Sequence, residues 1–147
     1  MTHAIVHCAR SWLGTRFHHQ GRLKKTALHK GGVDCLGLLV GVAAELGLHA
    51  LTAADETNYS HHPDAVRLRK RLSALLTPIL SDQIAPGDVL LLDIDGNPQH
   101  LALVSDIGGA LGIIHAYAPA RAVVEHQLDA WWQKRIEAAF RIINPIV

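Results

Sequence analysis

The beginning of the chain has the spacing of hydrophobic residues that is typical of an amphipathic helix. From Thr2 to Leu13, the apolar residues Ile5, Cys8 and Trp12 fall on one face of a helix with 3.6 residues per turn. We therefore expect a short helix here, packed against the rest of the protein through this face. Cys8 is expected to be a small buried residue of the core.

Two more helices are predicted in the first half of the chain. The segment from Leu36 to Leu46 is apolar almost all round, which is typical of a buried helix, and Gly47 is its expected C-terminal cap. Pro63-Asp64 opens a third helix, which ends before Pro78. Between the first two helices, residues 14–33 are rich in Gly, His and Lys, and we expect a loop there.

After Pro86-Gly87 the pattern changes to short apolar runs separated by turns, which predicts strands. The predicted strands are DVLLLDI, HLALVSD, LGIIHAY, RAVVEH and IEAAFRII, and LDAWWQK is a short helical turn between the last two. Helices followed by an antiparallel sheet define the α+β class. No repeat or linker divides the chain, so we predict a single domain over residues 1–147.

Composition narrows the range of functions. The chain is 49% hydrophobic and 18% charged, which is typical of a globular protein, and its net charge of +1 gives no field that would attract nucleic acid. No apolar run reaches transmembrane length, and the N-terminus is a poor signal peptide. With only two cysteines, we expect reduced thiols and a cytoplasmic protein that is not inserted in a membrane.

Cys35 lies at the predicted start of the second helix. Asp34 is a favourable N-cap, so the thiol would lie among the unpaired backbone N–H groups of a helix N-terminus. The helix dipole favours an anion there, and we expect the pKa of the thiol to be lowered from about 8.5 towards neutrality. The same N–H groups could stabilise an oxyanion. The alternative is a cysteine that serves only as a small buried residue.

Two strand histidines could complete a catalytic group with Cys35. His100 shares a strand face with Ala102 and Val104, and we expect this face to point at the helix packed there. His115 lies in the next strand, where it could sit beside His100. A cysteine, a histidine base and a third polar residue form the arrangement of papain-type enzymes. The alternative for His115 is a histidine that only hydrogen-bonds a backbone carbonyl.

Several motifs, taken in order, resemble those of the NlpC-type cell-wall peptidases, a papain-like family of cysteine peptidases. SWLGTRFHHQG resembles the entry segment of the family, and VDCLGLL resembles its Asp-Cys-Ser-Gly-Leu nucleophile motif. IAPGDVLLL resembles its Pro-Gly-Asp strand, and HLALVSD with GIIHA resembles the strands of its base and third residue. The resemblance extends from about Ile5 to Glu125, and the ordered combination is more specific than any single motif.

The resemblance implies a papain-like fold, in which N-terminal helices pack on a C-terminal antiparallel sheet. It implies that Cys35 is the nucleophile, His100 the general base and His115 the residue that orients His100. The implied reaction is hydrolysis of the bond between γ-D-glutamyl and a diamino acid, usually diaminopimelate, in peptidoglycan stem peptides. The resemblance implies no metal and no cofactor.

The chain departs from the family pattern beside the nucleophile and in the entry segment. Leu36 stands where many members have serine, and Phe17 stands where many have a tyrosine whose hydroxyl helps the site. Phe17 cannot donate that hydrogen bond, so His19 and Gln20 become candidates to replace it. Gln20 is a candidate oxyanion donor, with an ordinary loop glutamine as the alternative. Asp34, next to the nucleophile, is a further candidate substrate contact.

The form of the entry segment also resembles one branch of the family, which is encoded among phage and prophage tail genes. This branch implies phage tail proteins as partners and carriage on a phage or phage-like particle. Two alternatives to the peptidase remain open at this point. One is a tail assembly component that keeps the fold without the activity, and the other is a thiol amidase or acyltransferase that acts on another amide or ester.

The histidine content of the chain raises the question of zinc. The sequence has eleven histidines, and two pairs are adjacent, His18-His19 and His61-His62. Adjacent residues of an extended chain point apart, and neither pair has a companion at a familiar ligand spacing. We therefore interpret both pairs, together with His126, as surface or loop histidines, and we predict no metal site.

Overall fold

The computed structural model describes residues 2–55, 65–94 and 97–143. Pro63 and Asp64, which were predicted to open the third helix, and His61 and His62 lie outside these ranges. The helices are α1 (Thr2–Arg10), α2 (Cys35–Glu45), α3 (His49–Ala53), α4 (Ala65–Leu75) and α5 (Ala130–Gln133). The strands are β1 (Arg22–Leu23), β2 (Gly32–Val33), β3 (Thr77–Ile79), β4 (Val89–Ile94), β5 (Asn97–Ile107), β6 (Ala110–Tyr117), β7 (Ala122–Gln127) and β8 (Ile136–Arg141).

The strands from β3 onwards form one antiparallel sheet in the order β3-β8-β4-β5-β6-β7. The predicted α+β class is confirmed, and each predicted strand of the second half corresponds to a strand of this sheet. β5, β6 and β7 follow one another as a meander, with Gly108-Gly109 between β5 and β6 and the short 3₁₀ turn Ala118–Ala120 between β6 and β7. This arrangement places residues of three consecutive strands side by side.

The structure also contains elements that the sequence pattern did not predict. The range 14–33, expected to be loop, contains the two-residue strands β1 and β2, which pair as a small antiparallel ribbon. Pro78 lies inside β3, which is an edge strand of the large sheet, and an edge strand tolerates a residue without an N–H donor. The short helix α3 follows Gly47, which has the positive φ of 72° expected after a helix end.

Alternation along the strands divides the core into two clusters, one on each face of the sheet. Leu101 and Leu103 of β5 pack in the larger cluster, together with α1 and α2. Ala102 and Val104 pack in the smaller cluster, together with Trp132 of α5. Neighbouring residues of a strand point to opposite faces, so one strand supplies both clusters.

Two glycines of α2 allow close packing against this helix. A Cβ atom at Gly41 would lie 2.3 Å from the ring of Trp12, so only glycine lets the turn after α1 pack its buried indole directly on α2. A Cβ atom at Gly37 would lie 2.1 Å from the carbonyl oxygen of Gly21. The loop before β1 therefore lies directly against the first turn of α2. None of the helices within the described ranges is long and apolar enough to cross a membrane.

Candidate active site

The first turn of α2 is fixed by the side chain of Asp34. Asp34 has an extended backbone, and its Oδ1 accepts a hydrogen bond from the backbone N–H of Gly37 at 2.8 Å. This is the N-cap geometry that the sequence predicted, and it makes Cys35 the first residue of the helix.

The same carboxylate holds the preceding loop. Oδ2 of Asp34 accepts from the backbone N–H of Gln20 at 2.9 Å, and Nη1 of Arg22 donates to Oδ1 at 3.2 Å. Gln20 has a φ of 61°, a left-handed conformation that is uncommon for a residue other than glycine. Asp34 is buried, so these contacts place Gln20 next to the start of α2 and orient the carboxylate towards the protein.

The thiol of Cys35 lies against the main chain of β5. Sγ is 3.9 Å from the carbonyl oxygen of Gln99, and Cys35 lines a small cleft together with Leu101 and Ala102. The sulfur therefore lies beside the carbonyl group of Gln99, and Leu101, on the other side of His100, lines the same cleft as Cys35. Within the described ranges, no hydrogen bond joins this thiol to the imidazole of His100 or His115.

The expectation of a lowered thiol pKa is wrong for this structure. Cys35 keeps some exposed surface, but its thiol lies among many protein atoms, and this burial raises its pKa to about 11. The negative charge of Asp34 raises it further, while hydrogen bonding from backbone groups acts in the opposite direction. Desolvation disfavours the thiolate, and here it outweighs the effect of the helix N-terminus. The resting cysteine is therefore a neutral thiol.

His100 and His115 lie side by side, as the sequence predicted. Nε2 of His100 is 2.6 Å from Nδ1 of His115, and the two rings meet edge to face with centroids 4.8 Å apart. The β5–β6 register runs from Leu103↔Ile114 to Ile107↔Ala110, so both histidines lie beyond the end of the paired segment.

The face on which these histidines lie differs from the expectation. Ala102 and Val104, which share the alternation of His100, pack in the smaller cluster with Trp132, whereas α2 packs on the face of Leu101 and Leu103. The prediction that the Ala102 face points at the helix is therefore wrong. The sheet is covered on both faces, and the alternation of one strand does not tell which helix covers which face. Cys35 approaches the strand end that carries His100 from the α2 side.

His126 belongs to the same group of side chains, although we interpreted it from the sequence as a surface histidine. It is half-buried in β7, and its Nε2 lies 2.8 Å from Nε2 of His115. Its Nδ1 lies 3.0 Å from the carbonyl oxygen of Gln127. The position of His126 beside His115 could have been predicted from alternation in the strands. His126 shares a face of β7 with Val124, which pairs with His115.

Burial keeps His100 and His115 uncharged. It lowers the pKa of His100 to about 4. It also lowers the pKa of His115 strongly, and the neighbouring imidazoles of His100 and His126 lower it further. At neutral pH both rings are therefore neutral, and each has one N–H donor and one acceptor nitrogen.

The remaining candidate residues, Phe17 and His19, lie in the entry segment SWLGTRFHHQG. Phe17 is half-buried against the helix-side core, and its backbone N–H donates to the carbonyl oxygen of Arg121. His19 is half-buried, and its carbonyl oxygen accepts from Nδ1 of His18 at 2.9 Å. Among the described residues, no cluster of three or more potential ligand side chains could hold a metal ion.

The comparisons with known proteins agree with this architecture. No protein-family model matches the chain, and no curated protein sequence matches it. Among solved structures, the NlpC/p60 domain of the peptidoglycan hydrolase SagA is 24% identical with a TM-score of 0.61, and the match covers 95% of this chain and 97% of that one. The peptidoglycan hydrolase RipB from Mycobacterium tuberculosis is 17% identical with a TM-score of 0.62, and the match covers 97% of this chain and 65% of that one.

A third similar structure is described as an N-acetylmuramoyl-L-alanine amidase from Bacteroides uniformis. It is 11% identical with a TM-score of 0.59, and the match covers 97% of this chain and 99% of that one. These similarities show that the chain has the fold of the NlpC/p60 domains. The papain-like fold predicted from the sequence is confirmed.

Proposed function

We propose that this protein is a cysteine peptidase that hydrolyses peptidoglycan stem peptides. The observation that carries the proposal is the position of Cys35 at the capped start of α2. Its thiol lies beside the carbonyl group of Gln99 and in a cleft lined by Leu101, the two residues that flank His100, whose imidazole contacts His115. A nucleophile, a base and a residue that orients the base are the parts that thiol-dependent hydrolysis requires. The similar structures are named as peptidoglycan hydrolases, which supports the class of substrate.

In the proposed mechanism, Nδ1 of His100 takes the proton of the Cys35 thiol while Sγ attacks the carbonyl carbon of the substrate amide. Because the resting thiol is neutral, its deprotonation accompanies the attack. The tetrahedral oxyanion forms beside the backbone N–H groups of the α2 N-terminus, and Gln20 is a candidate for a further donor. His100 then protonates the leaving amine, and a water molecule hydrolyses the thioester. No step requires a metal or a cofactor.

Within this reaction class we propose the bond between γ-D-glutamyl and a diamino acid as the one that is cut. The VDCLGLL and HLALVSD motifs and their resemblance to the NlpC-type peptidases support this choice. One observation favours a second candidate, because a similar structure is named as an N-acetylmuramoyl-L-alanine amidase. In that case the same thiol chemistry would cut a different amide of the same polymer.

The resemblance of the entry segment SWLGTRFHHQG to the phage tail branch supports a proposal about context. We propose that the protein is made in the cytoplasm and is carried to the wall on a phage or phage-like particle, with tail proteins as partners. Substitution of Cys35 by alanine in the particle should then leave assembly intact and reduce entry into cells. Normal entry with this variant would favour a tail component with no enzymatic role.

Digestion of defined wall fragments tests the activity. The purified protein is incubated with L-Ala-γ-D-Glu-meso-diaminopimelate and with disaccharide-linked stem peptides, and the products are identified by mass spectrometry. Release of diaminopimelate from the tripeptide identifies the proposed bond, whereas release of intact stem peptide from the disaccharide identifies the amidase.

Matched variants assign the activity to the site. Cys35→Ala and His100→Gln should each abolish turnover while the thermal unfolding midpoint stays close to that of the parent protein. Cys8→Ala is the control, because Cys8 is a buried thiol in α1 that donates to Glu45 and has no role in the mechanism. Turnover that persists in Cys35→Ala, or its absence from the parent protein on every fragment, would overturn the proposal.

A further inference from the structure

A line of three imidazoles runs from the candidate active site to the backbone of β7. Nε2 of His100 lies 2.6 Å from Nδ1 of His115, and Nε2 of His115 lies 2.8 Å from Nε2 of His126. Nδ1 of His126 lies 3.0 Å from the carbonyl oxygen of Gln127. All three distances are those of hydrogen bonds. Every link except the last joins two groups that can each be donor or acceptor.

The hydrogen bond from His126 to Gln127 fixes which nitrogen is the donor in each of the other two hydrogen bonds. A carbonyl oxygen only accepts, so Nδ1 of His126 carries the proton that is donated to Gln127. In a neutral ring, Nε2 of His126 is then an acceptor, and Nε2 of His115 must donate to it. Nδ1 of His115 is therefore an acceptor, and it receives the Nε2–H of His100. The remaining nitrogen of His100, Nδ1, is left with a lone pair.

We propose that His126 is a positioning residue of the active site, which fixes the tautomers of His115 and His100 so that Nδ1 of His100 is the base for the Cys35 proton. This inference rests on the proposed function, and it adds a fourth side chain to the group formed by Cys35, His100 and His115. His126 touches neither the nucleophile nor its base directly, and it acts through His115.

The other neighbours of His115 do not supply this selection. The ring of Tyr117 stacks on His115 at 4.9 Å between centroids, and the ring of Trp132 meets it edge to face at 5.1 Å. These contacts hold the plane of the imidazole without choosing which nitrogen is protonated. If His115 carried its proton on Nδ1, it would donate to His100 and force the proton of His100 onto Nδ1. His100 could then no longer accept the thiol proton.

Two substitutions of His126 separate the hydrogen bond from the packing. His126→Phe keeps a ring against Trp132, which lies 5.0 Å from His126 between centroids, but it removes the acceptor for His115. His126→Gln removes the ring and keeps an acceptor oxygen on a side chain of similar reach. His7→Phe in α1 is the control for replacing an exposed histidine by phenylalanine.

The tautomers are measured directly by long-range ¹H–¹⁵N correlation of the imidazole rings at pH 7, with assignments from single-histidine variants. In the parent protein we expect protons on Nε2 of His100 and His115 and on Nδ1 of His126. In His126→Phe we expect His115 to give the averaged signals of two tautomers, and in His126→Gln to keep the parent pattern. A proton on Nδ1 of His115 in the parent protein overturns the inference, even if no variant folds.

Kinetics on L-Ala-γ-D-Glu-meso-diaminopimelate give the second readout. His126→Phe should lower kcat by about 10- to 100-fold with KM unchanged, a loss of the size found when the hydrogen-bonding partner of a metal-bound histidine is removed. His126→Gln should recover most of this loss, whereas a merely structural role predicts the reverse order, since phenylalanine keeps the packing. If the parent protein cleaves the peptide and His126→Phe is equally active, the role of His126 is refuted and the proposed function stands. If nothing is cleaved but the tautomers are as expected, only the proposed function fails.

Discussion

Asp34 and Gln20 are joined by a hydrogen bond of 2.9 Å from the backbone N–H of Gln20 to Oδ2 of Asp34. Through this contact, the residue that caps α2 also holds the entry loop beside the helix start. Because the other oxygen of the carboxylate accepts from Gly37, one buried side chain fixes both sides of the space around Cys35. The geometry of the candidate site therefore depends on a residue outside the proposed catalytic group.

Removal of this carboxylate should destabilise the protein. Asp34→Ala loses the N-cap and leaves the N–H groups of Gly37 and Gln20 without this acceptor. We expect a loss of about 1–3 kcal/mol in the free energy of unfolding, measured by urea denaturation. The control is Asp55→Asn, which weakens a partly exposed ion pair with Arg22 and should cost less than about 1 kcal/mol. Equal losses of unfolding free energy in the two variants would contradict the role of Asp34 in holding both the start of α2 and the entry segment.

The reactivity of Cys35 towards iodoacetamide should report its raised pKa. In a Cys8→Ala background, where Cys35 is the only thiol, the labelling rate should rise about tenfold per pH unit from pH 7 to 10, because the thiolate fraction follows pH below a pKa of about 11. The same protein in concentrated urea is the reference, and its rate should level off above about pH 8.5. A plateau at or below pH 8 in the folded protein would show a stabilised thiolate and refute the effect of burial.

Acidification should destabilise the fold through His100. The pKa of this ring is about 4 in the folded protein and near 6.5 in the unfolded chain, so the unfolded state binds the proton first. This difference in pKa contributes to the free energy of unfolding above pH 6.5. The contribution is lost as the pH falls towards 4, and the loss amounts to about 3 kcal/mol. The control is His100→Gln, which keeps every carboxylate that titrates in the same pH range but lacks this imidazole. Its free energy of unfolding should therefore fall by about 3 kcal/mol less than that of the parent protein between pH 7 and 4.

Substitutions of His115 should distinguish orientation of the base from packing. His115→Asn keeps an oxygen that can accept the Nε2–H of His100, whereas His115→Leu fills the buried position without an acceptor. We expect kcat on a stem peptide to fall by roughly 100-fold or more in the leucine variant and by clearly less in the asparagine variant. Thermal unfolding of both variants serves as the check on folding. Equal activities would mean that His115 does not orient His100.

The contact between Gly41 and Trp12 predicts an unusual effect of alanine in a helix. Gly→Ala within a helix ordinarily stabilises a protein by about 1 kcal/mol. Here the added Cβ would lie 2.3 Å from the ring of Trp12, so Gly41→Ala should destabilise by about 1–3 kcal/mol instead. Combination with Trp12→Leu tests the cause, because the double variant should lose less than the sum of the two single losses.

The parts that could be predicted from the sequence depend on local patterns. The alternation in HLALVSD and LGIIHAY gave the strands and placed His100 and His115 together, since a short turn joins the two strands. Asp34 before an apolar run gave the start of α2. The short strands β1, β2 and β3 were missed, because two or three residues carry too little periodicity to be recognised.

The errors arose where the result depends on contacts between distant segments. The pKa of Cys35 was expected to follow the helix N-terminus, but burial against β5 raises it, and a helix pattern contains no information about that burial. His126 was interpreted as a surface residue because its role requires the register of β6 with β7 and the position of Trp132. The face of Ala102 was misjudged because alternation does not identify the helix that covers each face.

The separation of the proposed catalytic parts along the chain has a consequence for biosynthesis. Cys35 leaves the ribosome long before His100, and the line of imidazoles is complete only when Gln127 at the end of β7 has been added. A nascent chain therefore carries the nucleophile without its base while the 65 residues from Cys35 to His100 are added. In the proposed function, the site can therefore act only after β7 has been made and β5, β6 and β7 have paired.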